Sequence, residues 1–245
     1  MRIADFCRQD TGGQSFRCAQ AVRTHTPHES HSFCRSSDYL GFPAEIVPGH
    51  DPEWVRSYLG SVDVVHVHGK YRAANGWATI NPDAKWVIHQ HGRTQIVAER
   101  AADEKRGALR VVSTLNLLPD VDGDAGRWIP APLDLPAYDA LPKAEHAGYR
   151  ISHSPTNRAY KSTDLFLACV AELKAEGVDV EAVVIEGVSH EECLAIKAGC
   201  DDCFDQMHLC YGSSDLQAMA LSDQVMVGMS WETHLTVKQV TGQPP

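Results

Sequence analysis

No run in this chain approaches the roughly 18 uncharged apolar residues that a membrane-spanning helix needs. The mean hydropathy of −0.27 likewise excludes a bundle of such helices. Positive charge is short: 22 Lys and Arg stand against 32 Asp and Glu, for a net charge of −10. That field repels phosphate backbones and anionic lipid, so duplex nucleic acid is disfavoured as an unaided partner. The amino terminus, MRIADFCRQDTGG, lacks the apolar core of a secretory leader. The eight cysteines are scattered along the chain, which points to a reducing, cytoplasmic setting. The full GxGxxG spacing is missing and no acid follows a clear second strand, so a nicotinamide-cofactor site has no support. HExxH is absent and no Asp-rich set supplies further ligands, so no metal is expected.

What is present is ordinary for a globular chain: 43% hydrophobic and 22% charged residues over 245 positions, enough for one large or two modest domains. Short apolar runs alternate with helical stretches, the pattern of parallel strands joined by helices. In the first half Ile3–Cys7 reads as a strand, Thr11-Gly12-Gly13 as a turn and Ser15–Arg23 as a helix. Val62–Val67, Lys85–His89, Leu109–Ser113 and the weaker Ala44–Val47 read as further strands. Four prolines near residues 127–148 predict an extended connector. Beyond it the strands Tyr149–His153, Val180–Ile185, Asp202–Met207 and Gln224–Met229 alternate with the helices Thr163–Glu176, His190–Ala198 and Ser213–Leu221. The expected fold class is α/β, two Rossmann-like domains at residues 1–140 and 149–245 facing a cleft, because open parallel sheets bind ligands beyond their strand carboxyl ends.

Candidate chemistry gathers at those ends. Arg158 and Lys161, with hydroxyls around them, follow the first strand of the second half, where two cations can neutralise a diphosphate; an ordinary solvated loop is the plainer reading. Gly212, Ser213 and Ser214 open a helix whose amides and dipole suit an anion, although capping alone explains them. Gly12 and Gly13 permit a close backbone approach. Histidines come in pairs: His66 with His68, His89 with His91, and His28 with His31. Hydrogen bonding to a polar substrate, or to loop backbone, is expected of them. Cys193, Cys200, Cys203 and Cys210 include a CxxC spacing, but they fall in different element types and read as buried thiols.

Taken in order, HSPTNRAYKSTD, VVIEGVSHEECLAIKAGCDDCFDQM and YGSSDLQAMAL resemble the nucleotide-binding half of GT-B glycosyltransferases, family 4 above all, and VIHQHG, VVSTLNLL and RWIPAPLD are similar to segments of that family's first domain. The resemblance implies a glycosyltransferase that moves a sugar from a UDP- or GDP-sugar to an unidentified acceptor, usually with retention, and requires no metal or other cofactor. It implies that Arg158 and Lys161 hold the diphosphate, that Glu186, Gly187, Val188 and Ser189 lie near the nucleoside, and that Gly212 and Ser213 present helix-terminal amides. By the same resemblance Gly12 and Gly13 would border the donor phosphates, and His91 would touch the transferred sugar. Gln217 stands where the family has a ribose-clasping Glu, and Ser222-Asp223-Gln224 stand in place of Gly-Lys-Pro. Measured against the family the second domain is short, so an exposed apolar sheet face and homo-oligomers are expected. An inactive sugar-nucleotide-binding protein is the alternative, and an epimerase of related architecture a third reading. Arg158 and Lys161 are both expected to be solvent-accessible and to matter little for folding.

Overall fold

In the first half of the chain, strand–helix alternation builds an all-parallel sheet. Its strands are β1 (Arg2–Gln9), β2 (Glu29–Ser36), β3 (Val64–His68), β4 (Lys85–Gln90) and β5 (Leu109–Val112), in the order β2-β1-β3-β4-β5. Parallel neighbours need crossovers, and α1 (Gln14–His25) and α2 (Glu53–Leu59) supply two of them. The computed structural model describes residues 1–245 apart from 11, 37–40, 43–52, 70–73, 75–79, 93–106, 122–123, 144, 209, 222–223 and 244–245. The strand expected at Ala44–Val47 therefore lies outside the described residues.

Register sorts the side chains of this sheet into two unlike faces. Ala4, Phe6, Val65, Val67 and Ile88 form an apolar core with Val55, Tyr58 and Leu59 of α2. Asp5 is aligned with Ser32 on one side and His66 on the other, and His68 with His89. Because side chains alternate along a strand, these residues share the opposite, polar face. α1 is tied to it through Ser15, whose hydroxyl lies 2.8 Å from that of Ser32 and donates to the Asp5 carbonyl. β2 has no counterpart in the sequence reading. Its ESHSFCRS run buries Ser30 and Ser32 completely, polar positions that break the apolar pattern by which strands are recognised.

The turn into α1 is built on Gly12 and Gly13, with φ of 100° and 66°. Asp10 caps the helix: its two carboxylate oxygens accept from the amides of Ser15 and Phe16 at 3.0 and 2.9 Å. A Cβ on Gly13 would overlap the Phe42 ring, whereas one on Gly12 meets nothing within 4 Å. Gly13→Ala is therefore expected to cost about 1–2 kcal/mol through left-handed strain and repacking, and Gly12→Ala less, both readable by thermal denaturation.

The chain divides into two units, Met1–Pro132 and Leu133–Pro245, a break within the proline-bearing stretch 127–148. The stretch expected to be extended contains α3 (Leu135–Asp139). Pro136 sits in its first turn, where the missing amide costs nothing, and Tyr138 packs on Leu194, Ala198 and Leu221.

The second unit carries β6 (Tyr149–His153), β7 (Val180–Val184), β8 (Asp202–Gln206) and β9 (Gln224–Val227), all parallel, in the order β7-β6-β8-β9. α4 (Thr163–Ala175), α5 (His190–Lys197) and α6 (Ser213–Ala220) alternate with them, and α7 (Trp231–Thr241) follows β9. Ile151, Phe166, Val170, Val180 and Phe204 make its core. After β6 the chain pairs first to one side and then to the other, so the carboxyl ends of β6 and β8 form a switch point. Among the described residues no helix is long and apolar enough to cross a membrane.

Candidate functional site

The switch point of the second sheet is anchored by His153, the last residue of β6. Its Nδ1 donates to the Phe204 carbonyl at 2.9 Å and its Nε2 accepts from the Thr163 hydroxyl at 2.8 Å. Burial pushes this imidazole below its usual pKa range, which suits the neutral tautomer that both bonds require. The loop between them ends at Ser162, whose φ of 56° is the one left-handed non-glycine backbone among the described residues. Such strain persists only where surrounding contacts hold it. Here the next residue is clamped by His153 and the preceding one, Lys161, by Asp205.

Lys161 Nζ lies 2.7 and 2.6 Å from the two Asp205 oxygens, and Asp205 is buried in β8. Asp215, in the first turn of α6, accepts from the Gly212 amide at 2.6 Å. Its carboxyl is pushed up to about 7, first by burial and then by the Asp205 charge beside it. Lys197 is fully buried and donates to the Ser214 hydroxyl at 2.7 Å, and that hydroxyl lies 3.2 Å from Ser154 Oγ. Two ammonium groups, two carboxylates and two hydroxyls thus meet at one sheet edge. A shallow depression of about 440 Å³ at the other end of the sheet, beside Gly148, Tyr149 and Gly177, is lined by Lys174, Asp179 and Glu181, charged residues that are exposed rather than buried.

In the first unit the polar sheet face forms a second cluster. Asp5 Oδ1 accepts from His66 Nδ1 at 2.8 Å and from His68 Nε2 at 3.3 Å, and Asp5 Oδ2 accepts from Ser30 Oγ at 2.6 Å. His66 Nε2 lies 3.2 Å from His89 Nδ1, and His68 Nδ1 lies 3.1 Å from His91 Nε2. Burial alone would raise the Asp5 carboxyl, but hydrogen bonds and charge from the two imidazoles outweigh it and hold the group well below the usual carboxylate range. Burial, then the neighbouring imidazoles, pushes His68, His89 and His91 down.

No family model matches the chain, and no curated protein matches it in sequence. Solved structures do match. An alpha-glucosyltransferase in complex with UDP and a 13-mer DNA containing a central A:G mismatch aligns with a TM-score of 0.59 at 12% identity, over 100% of this chain and 83% of that one. AviGT4, a glycosyltransferase involved in Avilamycin A biosynthesis, aligns with a TM-score of 0.52 at 17% identity, over 93% and 78%. The fold is that of the GT-B glycosyltransferases. The S. aureus MnaA–UDP co-structure also aligns, with a TM-score of 0.51 at 10% identity over 94% and 79%.

Within the GT-B fold the sequence-derived residues fall as follows. Lys161, Gly212 and Ser213 belong to the switch-point edge of the second unit. Arg158 projects from the same loop but is exposed and forks onto Glu186, its Nε 3.0 Å from Oε1. Gly187 follows with φ of 70°, and Val188 leads to Ser189, which caps α5 by accepting from the Glu192 amide. Gln217 donates to His190 Nε2 at 3.0 Å. The amide of Gly212, expected to face an anion, is engaged by Asp215, and the first amides of α1 behind Gly12 and Gly13 are engaged by Asp10. In both places a carboxylate of the chain stands where a phosphate was expected. His91 joins the histidine cluster, whereas His31 lies on β2 with its ring centroid 5.0 Å from that of Tyr58; Arg93 lies outside the described residues. Cys200, Cys203 and Cys210 are buried, and none of the four carboxyl-terminal cysteines enters a metal-ligand group among the described residues.

Sequence reasoning missed Asp5, Asp205, Asp215 and Lys197. The signal for Asp5 was available: an acid inside an apolar strand, next to a second strand with histidines at i and i+2, calls for a buried polar partner.

Proposed function

We propose that this GT-B chain binds a nucleoside-diphosphate sugar at the carboxyl edge of its second sheet and transfers the sugar to an acceptor. The bond from the anomeric carbon to the β-phosphate oxygen breaks with its electron pair leaving on phosphate, a bond from the acceptor oxygen to that carbon forms, and the acceptor's proton is released. Negative charge grows on the leaving diphosphate, where fixed cations act most strongly. The observation that carries the reading is the gathering of Lys161, Ser154, Ser214 and the α6 terminus at a switch point of a GT-B fold. Two similar structures hold UDP, so UDP-sugars are the first donors to test and GDP-sugars the next. The DNA held by one of them is not carried over, because a net charge of −10 opposes it. Retention at the anomeric carbon rests on the sequence resemblance, the cytoplasm as compartment rests on the scattered cysteines, and both belong to this proposal.

Arg158 is the cation best placed to change partners, since exposed ion pairs are weak and readily exchanged. Arg158→Ala is expected to weaken binding of the donor about tenfold, as for loss of one charge-assisted contact, and to leave the thermal midpoint unchanged. Calorimetry of UDP-glucose and GDP-mannose against both proteins checks this, and equal curves would remove Arg158 from the site. A second reading, binding without transfer, is favoured by the engagement of Gly212 by Asp215 and of Gln217 by His190. Release of labelled sugar from bound donor separates the two.

A further inference from the structure

We propose that Asp5, His66 and His68 form a site for a divalent first-row transition-metal ion, with zinc as the ion to test. The inference stands on the first unit alone and does not depend on the glycosyl-transfer reading. It departs from the sequence-based expectation of no metal, which was drawn from motifs within single elements and from the family resemblance.

The ligand atoms of the three residues all lie within 4.8 Å of one another. Asp5 Oδ1 is 2.8 Å from His66 Nδ1 and 3.3 Å from His68 Nε2. Ligands held at about 2.0–2.1 Å from zinc, at angles between square and tetrahedral, lie about 2.9–3.4 Å apart, so the spacing is close to that of a loaded site. Two hydrogen-bonded strands carry the set. Asp5 and His66 are register partners, and His68 is two residues further along the same face, which fixes the ligands more firmly than loops would.

The surroundings suit a metal as well. A ligating imidazole is oriented and made more basic when its second ring nitrogen donates to a partner. Here His66 Nε2 faces His89 Nδ1 and His68 Nδ1 faces His91 Nε2, while the second oxygen of Asp5 is held by Ser30. In the ion-free chain the imidazole protons point at Asp5. With an ion bound, His66 and His68 turn their protons towards His89 and His91, whose own protons move to their outer nitrogens. His91 Nδ1 is buried and has no hydrogen-bond partner among the described residues, so it is open to either state. For neutral rings this is an exchange of tautomers with no net loss of protons. One carboxylate and two imidazoles against a dication leave a net positive centre with an open position, the arrangement of sites that bind water or substrate rather than of closed structural sites. The ligand atoms of a competing set, Cys18, His68 and His89, also lie within 4.8 Å of one another. It lacks a carboxylate.

The test uses the full chain, stripped with a chelator, dialysed against micromolar zinc and assayed for bound metal, with cobalt(II) as a spectroscopic substitute. One zinc per chain is expected, with visible cobalt bands and no sulfur-to-cobalt charge-transfer band. His66→Gln and His68→Gln should each weaken zinc binding by at least about 100-fold, and His91→Gln by about 10- to 100-fold through orientation alone; Cys18→Ser should change nothing. Should a ligand variant fail to fold, nitrogen-15 spectra of the wild-type histidines with and without zinc still decide, because metal contact must move His66 Nδ1 and His68 Nε2. Folded wild type that retains no zinc overturns the proposal. So does zinc binding that survives both glutamine variants, or a cobalt charge-transfer band that Cys18→Ser removes.

Discussion

Lys161→Met will lower the stability of the second unit by about 3 kcal/mol, while Arg158→Ala will leave it unchanged. Both residues sit in one loop and both are paired with a carboxylate, but the carboxylates differ. Glu186 is exposed and keeps its hydration when Arg158 is removed. Asp205 is 2% exposed and lies beside Asp215, so removing Lys161 leaves a buried charge without its counter-ion, a loss usually worth about 3–5 kcal/mol. The partial exposure of Lys161, 20% of its side chain, places the value at the lower end. Methionine keeps the packing of the stem, so the change reads charge. Urea denaturation checks the magnitude. The double variant Lys161→Met/Asp205→Asn should recover most of the loss, because the penalty belongs to the unpaired carboxylate. Of the two cations expected to be solvent-accessible, Arg158 is exposed and Lys161 is largely covered, which is why different outcomes are expected of them.

Asp215→Asn is expected to stabilise the second unit in neutral and alkaline solution. The Asp215 carboxyl has its pKa raised from an ordinary 3.8 to about 7 by burial and by Asp205. Between these two values the folded chain keeps a proton that the unfolded chain has lost. Stability is therefore greatest below about pH 4 and declines as pH rises to about 7, by up to about 4 kcal/mol if the whole shift is expressed. Asparagine cannot ionise, and its carbonyl still accepts from the Gly212 amide. Melting curves from pH 3 to 8 should coincide for the two proteins at the acid end, separate progressively from about pH 4 and reach their full difference near pH 7, with the variant more stable. A diphosphate at this edge should also bind more tightly at pH 6 than at pH 8, since a protonated Asp215 does not repel it.

Elements with a clean apolar run were legible in the sequence. β1, β3, β4 and β5 and the four strands of the second unit lie within two residues of the expected spans. β2 was not, because beside the buried Phe33 and Cys34 two of its buried positions, Ser30 and Ser32, are serines satisfied by Asp5 and Ser15. The short helix α3 was hidden by prolines that the first turn of a helix tolerates. Histidine pairs were visible at 66/68 and 89/91, and their place near the carboxyl ends of strands was read correctly. What the sequence concealed is that parallel register lays the two pairs side by side over Asp5, a contact between residues 61 positions apart. The pairing of Lys161 with Asp205, 44 positions apart, is invisible for the same reason. Local motifs report what a loop offers, while the counter-charges come from strands and helices elsewhere in the chain.

The central claim, that the carboxyl edge of the second sheet receives a nucleotide sugar, is tested most directly by titrating nitrogen-15-labelled protein with UDP-glucose, UDP-N-acetylglucosamine and GDP-mannose and following the backbone amides by NMR. Saturable shifts are expected at Arg158, Lys161, Gly187, Gly212 and Ser214 with at least one donor, and none at Gly148 or Gly177 at the far end of the sheet. A folded protein whose amides at those five positions do not move with any of the three donors would contradict it.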